Sequence, residues 1–362
     1  MGRTAADTVA ESQSFYCPLP SAVHPQAAEA ERLALDWIDR SGFCRTPTER
    51  AWVAATHSAD FYARFVPEAD LDRLWITACW VYWGFAFDDA RCDEGPLATD
   101  PATFADMAAS VQRALEVPGP LACADPYAAA VHDLGERFRA CAGPAQNRRF
   151  HNAHRAWLTG VQWQIGNRAG GRMPGLDDYL TMRLHSAGGE PTYAMLEIAD
   201  GLDVPGHEMD SPAVYALTEM AILVAALDND RYSQAKEASR RQTGQNIVSV
   251  LMAERRCSPA EALDEAVALR DTVLQRFLTL RDRVVRRADA PLRQYLAGLG
   301  HGIRGNIEWG VRVPRYVSLN DATTLPDVPD TPPEVHWTDT PRTGTLALER
   351  LPSIAWWWQD LA

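Results

Sequence analysis

The sequence predicts an all-α protein. A helix-start signature recurs along the chain, and the segments between its copies place apolar residues three and four positions apart. Alternation of apolar and polar residues over the length of a strand is hard to find, and no Asn-Gly or Asp-Gly turn joins two such segments. The 362 residues are enough to enclose a deep pocket, and we find no internal repeat.

In each copy of the signature a capping side chain precedes a proline, whose missing N–H costs nothing at the first helical position. An acidic residue follows three positions after Thr46 and after Ser258, as in a capping box. We therefore expect helices to begin at these points. The five copies are Thr46-Pro47, Asp100-Pro101, Asp125-Pro126, Ser211-Pro212 and Ser258-Pro259.

The distribution of helical pattern predicts one domain with a segment at each end. We expect residues 1–20 to be a flexible N-terminus, 21–318 to form the helical domain and 319–362 to be a C-terminal extension. The chain starts without the basic and apolar regions of a signal peptide. Its longest apolar run, Leu74 to Phe87, has 14 residues, which is too short to cross a bilayer. We predict a cytoplasmic protein with no stable membrane insertion.

Charge and cysteine content restrict the partners. There are 35 Lys and Arg against 48 Asp and Glu, and the resulting net charge of −13 should repel nucleic acid. The cysteines number seven and form no C-x-x-C pair, so we expect reduced thiols and no zinc site. The oligomeric state is left open, with a homodimer as one alternative.

An acidic cluster follows the apolar run that contains Phe85. On an α-helix, Asp89 and Asp93 are i,i+4 neighbours, and Asp88 lies about 100° round from Asp89, so two or three carboxylates can be presented together. Carboxylates this close repel each other, and a hard divalent cation such as Mg²⁺ makes the arrangement favourable. The alternative interpretation is a solvated acidic end of a helix.

A second polar group appears far along the chain. Asn229, Ser233 and Glu237 stand at i, i+4 and i+8, which stacks them on one helical face across two turns. An amide, a hydroxyl and one carboxylate form a hard-cation site of low charge, suited to a metal shared with an anionic ligand. The alternative interpretation is a polar outer stripe of a helix.

These two groups, with the aromatic run, resemble the motifs of the bacterial class I terpene synthases. In that family an Asp-rich motif and an NSE motif face each other across a cavity mouth and hold three Mg²⁺ ions bound to the substrate diphosphate. The resemblance implies a helical bundle around a central apolar cavity. It also implies these metal ligands: Asp88, Asp89, Asp93, Asn229, Ser233 and Glu237. Three residues separate Asp89 from Asp93, which leaves open whether Asp93 or Glu94 approaches the metals.

Further residues match the family. Arg183 precedes Asn229 by 46 positions, as a pyrophosphate-sensing arginine would, and a helix-breaking stretch follows it at 186–189. By resemblance, Gly188 permits the break that turns a backbone carbonyl toward the cation, and Phe85 and Trp309 are pocket aromatics. Asp88 and Arg183 would serve ionisation directly. The implied diphosphate donors are Arg183, Lys236, Arg315 and Tyr316.

The predicted function is Mg²⁺-dependent ionisation and cyclisation of a linear prenyl diphosphate to a terpene hydrocarbon or alcohol. We predict C15 farnesyl diphosphate as the substrate, with C20 geranylgeranyl diphosphate as the alternative. A chain-elongating prenyltransferase carries two Asp-rich motifs, whereas the second motif here contains Asn229 and Ser233. A non-catalytic helical protein that sequesters a lipid remains the alternative from another class.

Overall fold

The structure is a computed structural model that describes residues 14–239, 245–318, 320, 323–327, 333–344 and 347–361, with side chains 234–239 left out. The chain is mostly helical, which confirms the all-α prediction. The elements, in order, are β1 Ser14–Tyr16, α1 Ala27–Ser41, α2 Pro47–Ala54, α3 Ser58–Phe65, α4 Leu71–Phe87, α5 Pro101–Glu116, α6 Pro126–Cys141, α7 Pro144–Ala169, α8 Leu176–Ser186, α9 Gly189–Asp200, α10 Gly206–Met209, α11 Pro212–Ser239, α12 Ile247–Arg255, α13 Pro259–Val285, α14 Ala290–Gly310, α15 Pro314–Val317, β2 His336–Thr338 and α16 Pro352–Ala355.

Each of the five helix-start signatures begins a helix. The capping oxygens of Thr46, Asp100, Asp125 and Ser258 accept hydrogen bonds from backbone amides in the first turn, and Ser211 Oγ accepts one at 3.4 Å. The full capping box forms only at Ser258, where both reciprocal bonds are present. At Thr46 the acidic residue three positions on, Glu49, instead accepts a hydrogen bond from the backbone amide of Arg45.

The long helices pack side by side and surround a cavity. Helix α11 lies against α13 and α14, α7 lies against α8 and α9, and α4 lies against α3. Helix α11 is apolar over most of its circumference, because it is enclosed by other helices rather than lying at the surface. Among the described residues, no helix is long and apolar enough to cross a membrane. None of the seven cysteines forms a disulfide.

The two ends of the chain are joined by a short parallel pair of strands, in which Ser14 is opposite His336. The prediction of a flexible segment over 1–20 is wrong for residues 14–20, because Phe15, Cys17 and Leu19 are buried. The described part of 319–362 also packs on the helices, and Trp357 is completely buried. Three-residue strands are too short to leave a period in the sequence, so the pair could not be anticipated.

Buried charges fix the N-terminal strand to the helices. Asp228 of α11 and Arg270 of α13 form a fully buried ion pair at 2.8 Å. Arg270 also donates to the backbone carbonyl of Tyr16, and Arg231 donates to that of Ser14 at 2.7 Å. The guanidinium of Arg231 lies over the ring of Phe15, 3.9 Å from its centroid. The strand is thus held behind the helix that carries Asn229.

Candidate active site

The acidic cluster lies where helix α4 changes its winding. The α-helix ends at Phe87 and a π-helical turn follows over Asp88–Asp93. In such a turn the backbone hydrogen bonds join residues five apart rather than four. Asp88 and Asp93 both line the cavity. Neither Asp89 nor Glu94 is among the residues that line it, and the assignment of the metal ligands stays a prediction.

The second motif lies on helix α11, facing the same cavity. Asn229 and Ser233 line it, as the i,i+4 spacing predicted. Asp230 lines it too, although only 2% of its surface is exposed. The predicted ligand Glu237 and the predicted donor Lys236 lie on the last turns of α11, and their side chains are outside the described residues.

Helix α15 connects the two motifs. The guanidinium of Arg315 donates to Asp89 and lies 3.9 Å from a carboxylate oxygen of Asp88. The hydroxyl of Tyr316 accepts a hydrogen bond from the amide nitrogen of Asn229 at 2.8 Å. Asp89 itself is held by Arg315 rather than lining the cavity. The two motifs therefore meet at one end of the cavity, with the buried guanidinium of Arg315 between them.

Burial alone would lower the pKa of Arg315, yet the neighbouring Asp89 and Asp88 carboxylates raise it above its ordinary value. Burial also raises the pKa of the Tyr316 phenol. Arg315 is therefore a permanent cation and Tyr316 a neutral hydroxyl at this end of the cavity. Both can donate hydrogen bonds to an anionic ligand.

The predicted sensor Arg183 lies on α8 beside the second motif. Its guanidinium donates to Asp230 Oδ1 at 2.8 and 3.1 Å and to Asn229 Oδ1 at 2.9 Å. Helix α8 ends three residues later at Ser186, and α9 begins at Gly189. Between them Gly188 has φ of 72°, a left-handed conformation that residues with a Cβ rarely adopt. The predicted helix break is thus present, and Gly188 lines the cavity.

Aromatic rings form the cavity wall next to the acidic motif. The rings of Phe85 and Trp309 stack with centroids 5.4 Å apart and planes inclined by 23°. Phe61 packs against Trp309 at 4.7 Å, and the Arg315 guanidinium lies 4.7 Å above the ring of Phe85. Trp309 Nε1 donates to the carbonyl of Thr56, which fixes the orientation of the indole. The cavity encloses about 660 Å³, within the range of small-molecule sites.

Two residues at the site were not predicted. Tyr179 donates its hydroxyl to Asp230 and so shares that carboxylate with Arg183. Tyr179 and Arg183 are four positions apart on one helix, so their spacing could have predicted that both side chains lie on the same helical face. Arg168 of α7 lies 3.6 Å from Asp93 and donates to the carbonyls of Cys92 and Ala98. Nothing in the local sequence marks Arg168, because its partners lie 70 or more residues away.

The donor set fits a hard divalent cation. Carboxylate, amide and hydroxyl oxygens of Asp88, Asp93, Asn229 and Ser233 face one cavity, and oxygen is the donor that Mg²⁺ prefers. Within the described side chains, no three His, Cys, Asp or Glu residues gather closely enough to hold an ion alone. Metal ligation would therefore draw on both motifs and leave coordination positions for a bound anion.

Comparison with known proteins identifies the family. A family model described as terpene synthase family 2, C-terminal metal binding, matches residues 79–276. Spiroviolene synthase from Streptomyces violens is 54% identical over 348 residues, which is 96% of each chain. Phomopsene synthase from Allokutzneria albata is 35% identical over 364 residues, or 99% of each chain.

Solved structures agree with the sequence comparison. A crystal structure of the SVS_A2 protein from ancestral sequence reconstruction superposes with a TM-score of 0.85 at 56% identity, covering 96% of this chain and 98% of that one. Hedycaryol synthase gives a TM-score of 0.69 at 26% identity over 82% of this chain and 96% of that one. This chain belongs to the bacterial class I terpene synthases, and it is an enzyme that cyclises a prenyl diphosphate.

Proposed function

We propose that the enzyme ionises C20 geranylgeranyl diphosphate with three bound Mg²⁺ ions and cyclises the resulting cation. The observation that carries the proposal is that the two oxygen-rich motifs meet at one end of an apolar cavity. Asp88 and Asn229, separated by more than 140 positions, line the same cavity and are linked through the adjacent residues Arg315 and Tyr316. A substrate with an anionic head and an apolar body matches this division.

The reaction begins with heterolysis of the allylic C–O bond. Both bonding electrons leave with the diphosphate oxygen, and the positive charge stays on the hydrocarbon. When bound, divalent metal ions stabilise the negative charge that develops on the leaving group. In our proposal Asp88, Asp89, Asp93, Asn229, Ser233 and Glu237 hold these ions.

Cationic donors of the chain complete the diphosphate site. Arg183 and Arg315 supply bidentate guanidinium groups, and Tyr316 and Lys236 supply further donors. In the structure Arg183 is bonded to Asn229 Oδ1, and Arg315 is bonded to Asp89. The proposed donors thus already contact the proposed ligands, so a metal–diphosphate complex would bind among them rather than assemble them from a distance.

The apolar wall would act after ionisation. Phe85 and Trp309 present aromatic rings, whose negative faces stabilise a nearby cation without reacting with it. The break at Gly188 allows a backbone carbonyl to point toward the cavity. Because these groups exclude water, the cation can react with its own double bonds before a proton is lost or water is captured.

The C15 preference predicted from the sequence is not supported, and the C20 alternative fits the relatives better. Two relatives whose names specify cyclisation of farnesyl diphosphate share 30% and 28% identity with this chain, against 54% for spiroviolene synthase. Small residues also widen the cavity. A Cβ added at Gly84 would meet no atom closer than 3.8 Å, and the small residues Ala225 and Ala226 of α11 line the same cavity.

The test is incubation with geranylgeranyl and farnesyl diphosphates, with and without Mg²⁺, followed by mass spectrometry of the products. We expect a C20 cyclic product and diphosphate, formed only with metal and with a higher kcat/KM than for the C15 substrate. A higher kcat/KM for farnesyl diphosphate would refute the chain length. A longer diphosphate made when isopentenyl diphosphate is added would indicate elongation, and binding without turnover would indicate a lipid carrier.

Single substitutions test the site. Asp88→Ala and Asn229→Ala should each reduce turnover by at least about 100-fold while the circular dichroism spectrum stays helical. The matched control is Asp36→Asn, because Asp36 is a half-exposed carboxylate on α1 that forms a surface ion pair with Arg32. Full turnover in both cavity variants would remove the metal site from the proposal.

The cytoplasmic location and the homodimer stay predictions.

A further inference from the structure

The C-terminal hook, residues 347–361, ends the described chain and inserts large apolar side chains among the helices. It contains α16, followed by a short 3₁₀ turn over Trp356–Trp358. Leu351, Ile354 and Trp357 are buried, with 2%, 0% and 0% of their surfaces exposed. The proposed chemistry does not use this run of three tryptophans.

One side of the hook is attached to α8. The backbone amide of Ser353 donates to Asp177 Oδ1 at 3.0 Å, and the Ser353 hydroxyl donates to the same oxygen. Asp177 lies in the first turn of α8, six residues before Arg183, which corresponds to about 9 Å along a helix. A helix this short transmits a displacement of its first turn to its last.

The other side of the hook is attached to α11 and α13. The indole of Trp357 donates to Glu219 Oε2 of α11 at 2.9 Å, and its backbone carbonyl accepts from Arg276 of α13 at 2.7 Å. Glu219 precedes Asn229 by ten residues on the same unbroken helix, about 15 Å away. The hook therefore binds the helix of the sensor arginine and the helix of the second metal motif at the same time.

Asp177 and Glu219 use their carboxylates for the hook rather than for a ligand. Burial raises the pKa of Glu219, whereas the hydrogen bond from Trp357 opposes that shift. Neither residue lines the cavity. Their hydrogen bonds thus serve to join segments that lie far apart in the sequence, since Ser353 and Asp177 are separated by 176 positions.

We infer that Ser353 and Trp357 are positioning residues that set the spacing between α8 and α11, and with it the geometry of Arg183 against Asp230 and Asn229. This inference rests on the proposed role of Arg183 in binding diphosphate. The contacts of Arg183 with α11 span only 2.8 to 3.1 Å, so a shift of α8 by 1 Å would break or bend them. Misplacement on that scale commonly costs about 100-fold in rate.

The test compares three variants of the hook with one control. Trp357→Ala removes the buried ring, Trp357→Phe keeps a ring but loses the indole donor, and Ser353→Ala removes the hydroxyl bond to Asp177. The control is Trp337→Ala on β2, because Trp337 belongs to the same C-terminal region but lies over Arg304, away from α8.

We expect Trp357→Ala to lower kcat by about 100-fold per folded molecule, with Trp357→Phe recovering most of the loss. Ser353→Ala should lower kcat less, by about threefold to tenfold, and Trp337→Ala should leave it unchanged. KM for the prenyl diphosphate should rise in Trp357→Ala, because Arg183 is a proposed donor to the diphosphate, and it should stay within about threefold of the wild-type value in Trp337→Ala. Calorimetric affinity for inorganic diphosphate with Mg²⁺ should fall in parallel with kcat.

A purely structural hook would lower the folded fraction, measured by circular dichroism, while kcat per folded molecule stayed at the wild-type value. A wild-type kcat per folded molecule in Ser353→Ala, which removes only a hydroxyl group, would overturn the inference even if Trp357→Ala failed to fold. Failure of the proposed function is separate, because the wild type itself would then form no cyclic product or would not require Asp88.

Discussion

Asp230 is the residue through which the sensor arginine is held, and its replacement by asparagine gives a sharp prediction. One carboxylate oxygen accepts from Arg183 at 2.8 and 3.1 Å, and the other accepts from the Tyr179 hydroxyl and from the backbone amide of Ile247 at 3.1 Å. Asparagine has one acceptor oxygen, so Asp230→Asn leaves the donors on one side facing an NH₂ group. It also removes the carboxylate charge that forms an ion pair with Arg183 at 2.8 Å.

The magnitude follows from burial. Asp230 is 2% exposed and the Arg183 side chain 13%, so their interaction is little screened by water. Removing one partner of a buried pair costs about 3 to 5 kcal/mol. Because Arg183 keeps its bond to Asn229 Oδ1, we expect the lower end, about 3 kcal/mol. A displaced Arg183 should also lower kcat by about 100-fold.

The assay is urea denaturation followed by circular dichroism, together with kcat measured under conditions where the variant is fully folded. Tyr179→Phe is the matched control, since it removes one neutral donor from the same carboxylate. It should cost about 1 kcal/mol and change kcat by less than threefold, because Arg183 keeps both partners. If Asp230→Asn matched the wild type in stability and in kcat, the argument that this carboxylate holds Arg183 would be refuted.

Two further predictions concern buried groups away from the cavity. Arg270→Ala should lower the free energy of unfolding by about 3 kcal/mol, since it removes the closest partner of the fully buried Asp228 and leaves it with Arg231 at 3.3 Å. Urea denaturation measures this loss, and a value below about 1 kcal/mol contradicts the prediction. Burial lowers the pKa of His154 from 6.5 to about 3. Between these two values the imidazole is protonated in the unfolded chain and neutral in the native chain. The free energy of unfolding should therefore fall as the pH is lowered from 6.5 toward 3. His154→Phe should weaken that fall between pH 7 and pH 5 in the same assay, whereas an equal slope in both proteins would exclude His154 as its source.

The sequence predicted best what local rules determine. A capping side chain followed by proline stops or starts a helix within four residues, and the starts at Thr46, Asp100, Asp125 and Ser258 form as expected. The spacing of Asn229 and Ser233 is likewise a local property, and both face the cavity. What failed in the fold was the three-residue strand pair, because its register depends on contacts between the two ends of the chain.

In the site, the sequence supplied the residues but not their partners. The π-helical turn at Asp88–Asp93 has no sequence signature, and within it Asp88 and Asp93 line the cavity. The contact of Arg315 with Asp89 joins residues 226 positions apart, and Arg168 reaches Asp93 in the same way. Such contacts depend on how helices cross, which apolar packing determines and the motif spacing does not record.

This difference explains why the chain length of the substrate was the weakest prediction. Ionisation depends on polar residues whose types and spacing appear directly in the sequence. Cavity depth depends on which apolar side chains are absent, as at Gly84, where a Cβ would meet nothing closer than 3.8 Å. In the sequence, Gly84 is only a small residue within a helix, and its effect on the cavity appears once the fold shows that Ala225 and Ala226 of α11 line the same space. The chemistry of the head group is therefore encoded locally, whereas the choice of hydrocarbon is a property of the packed helices together.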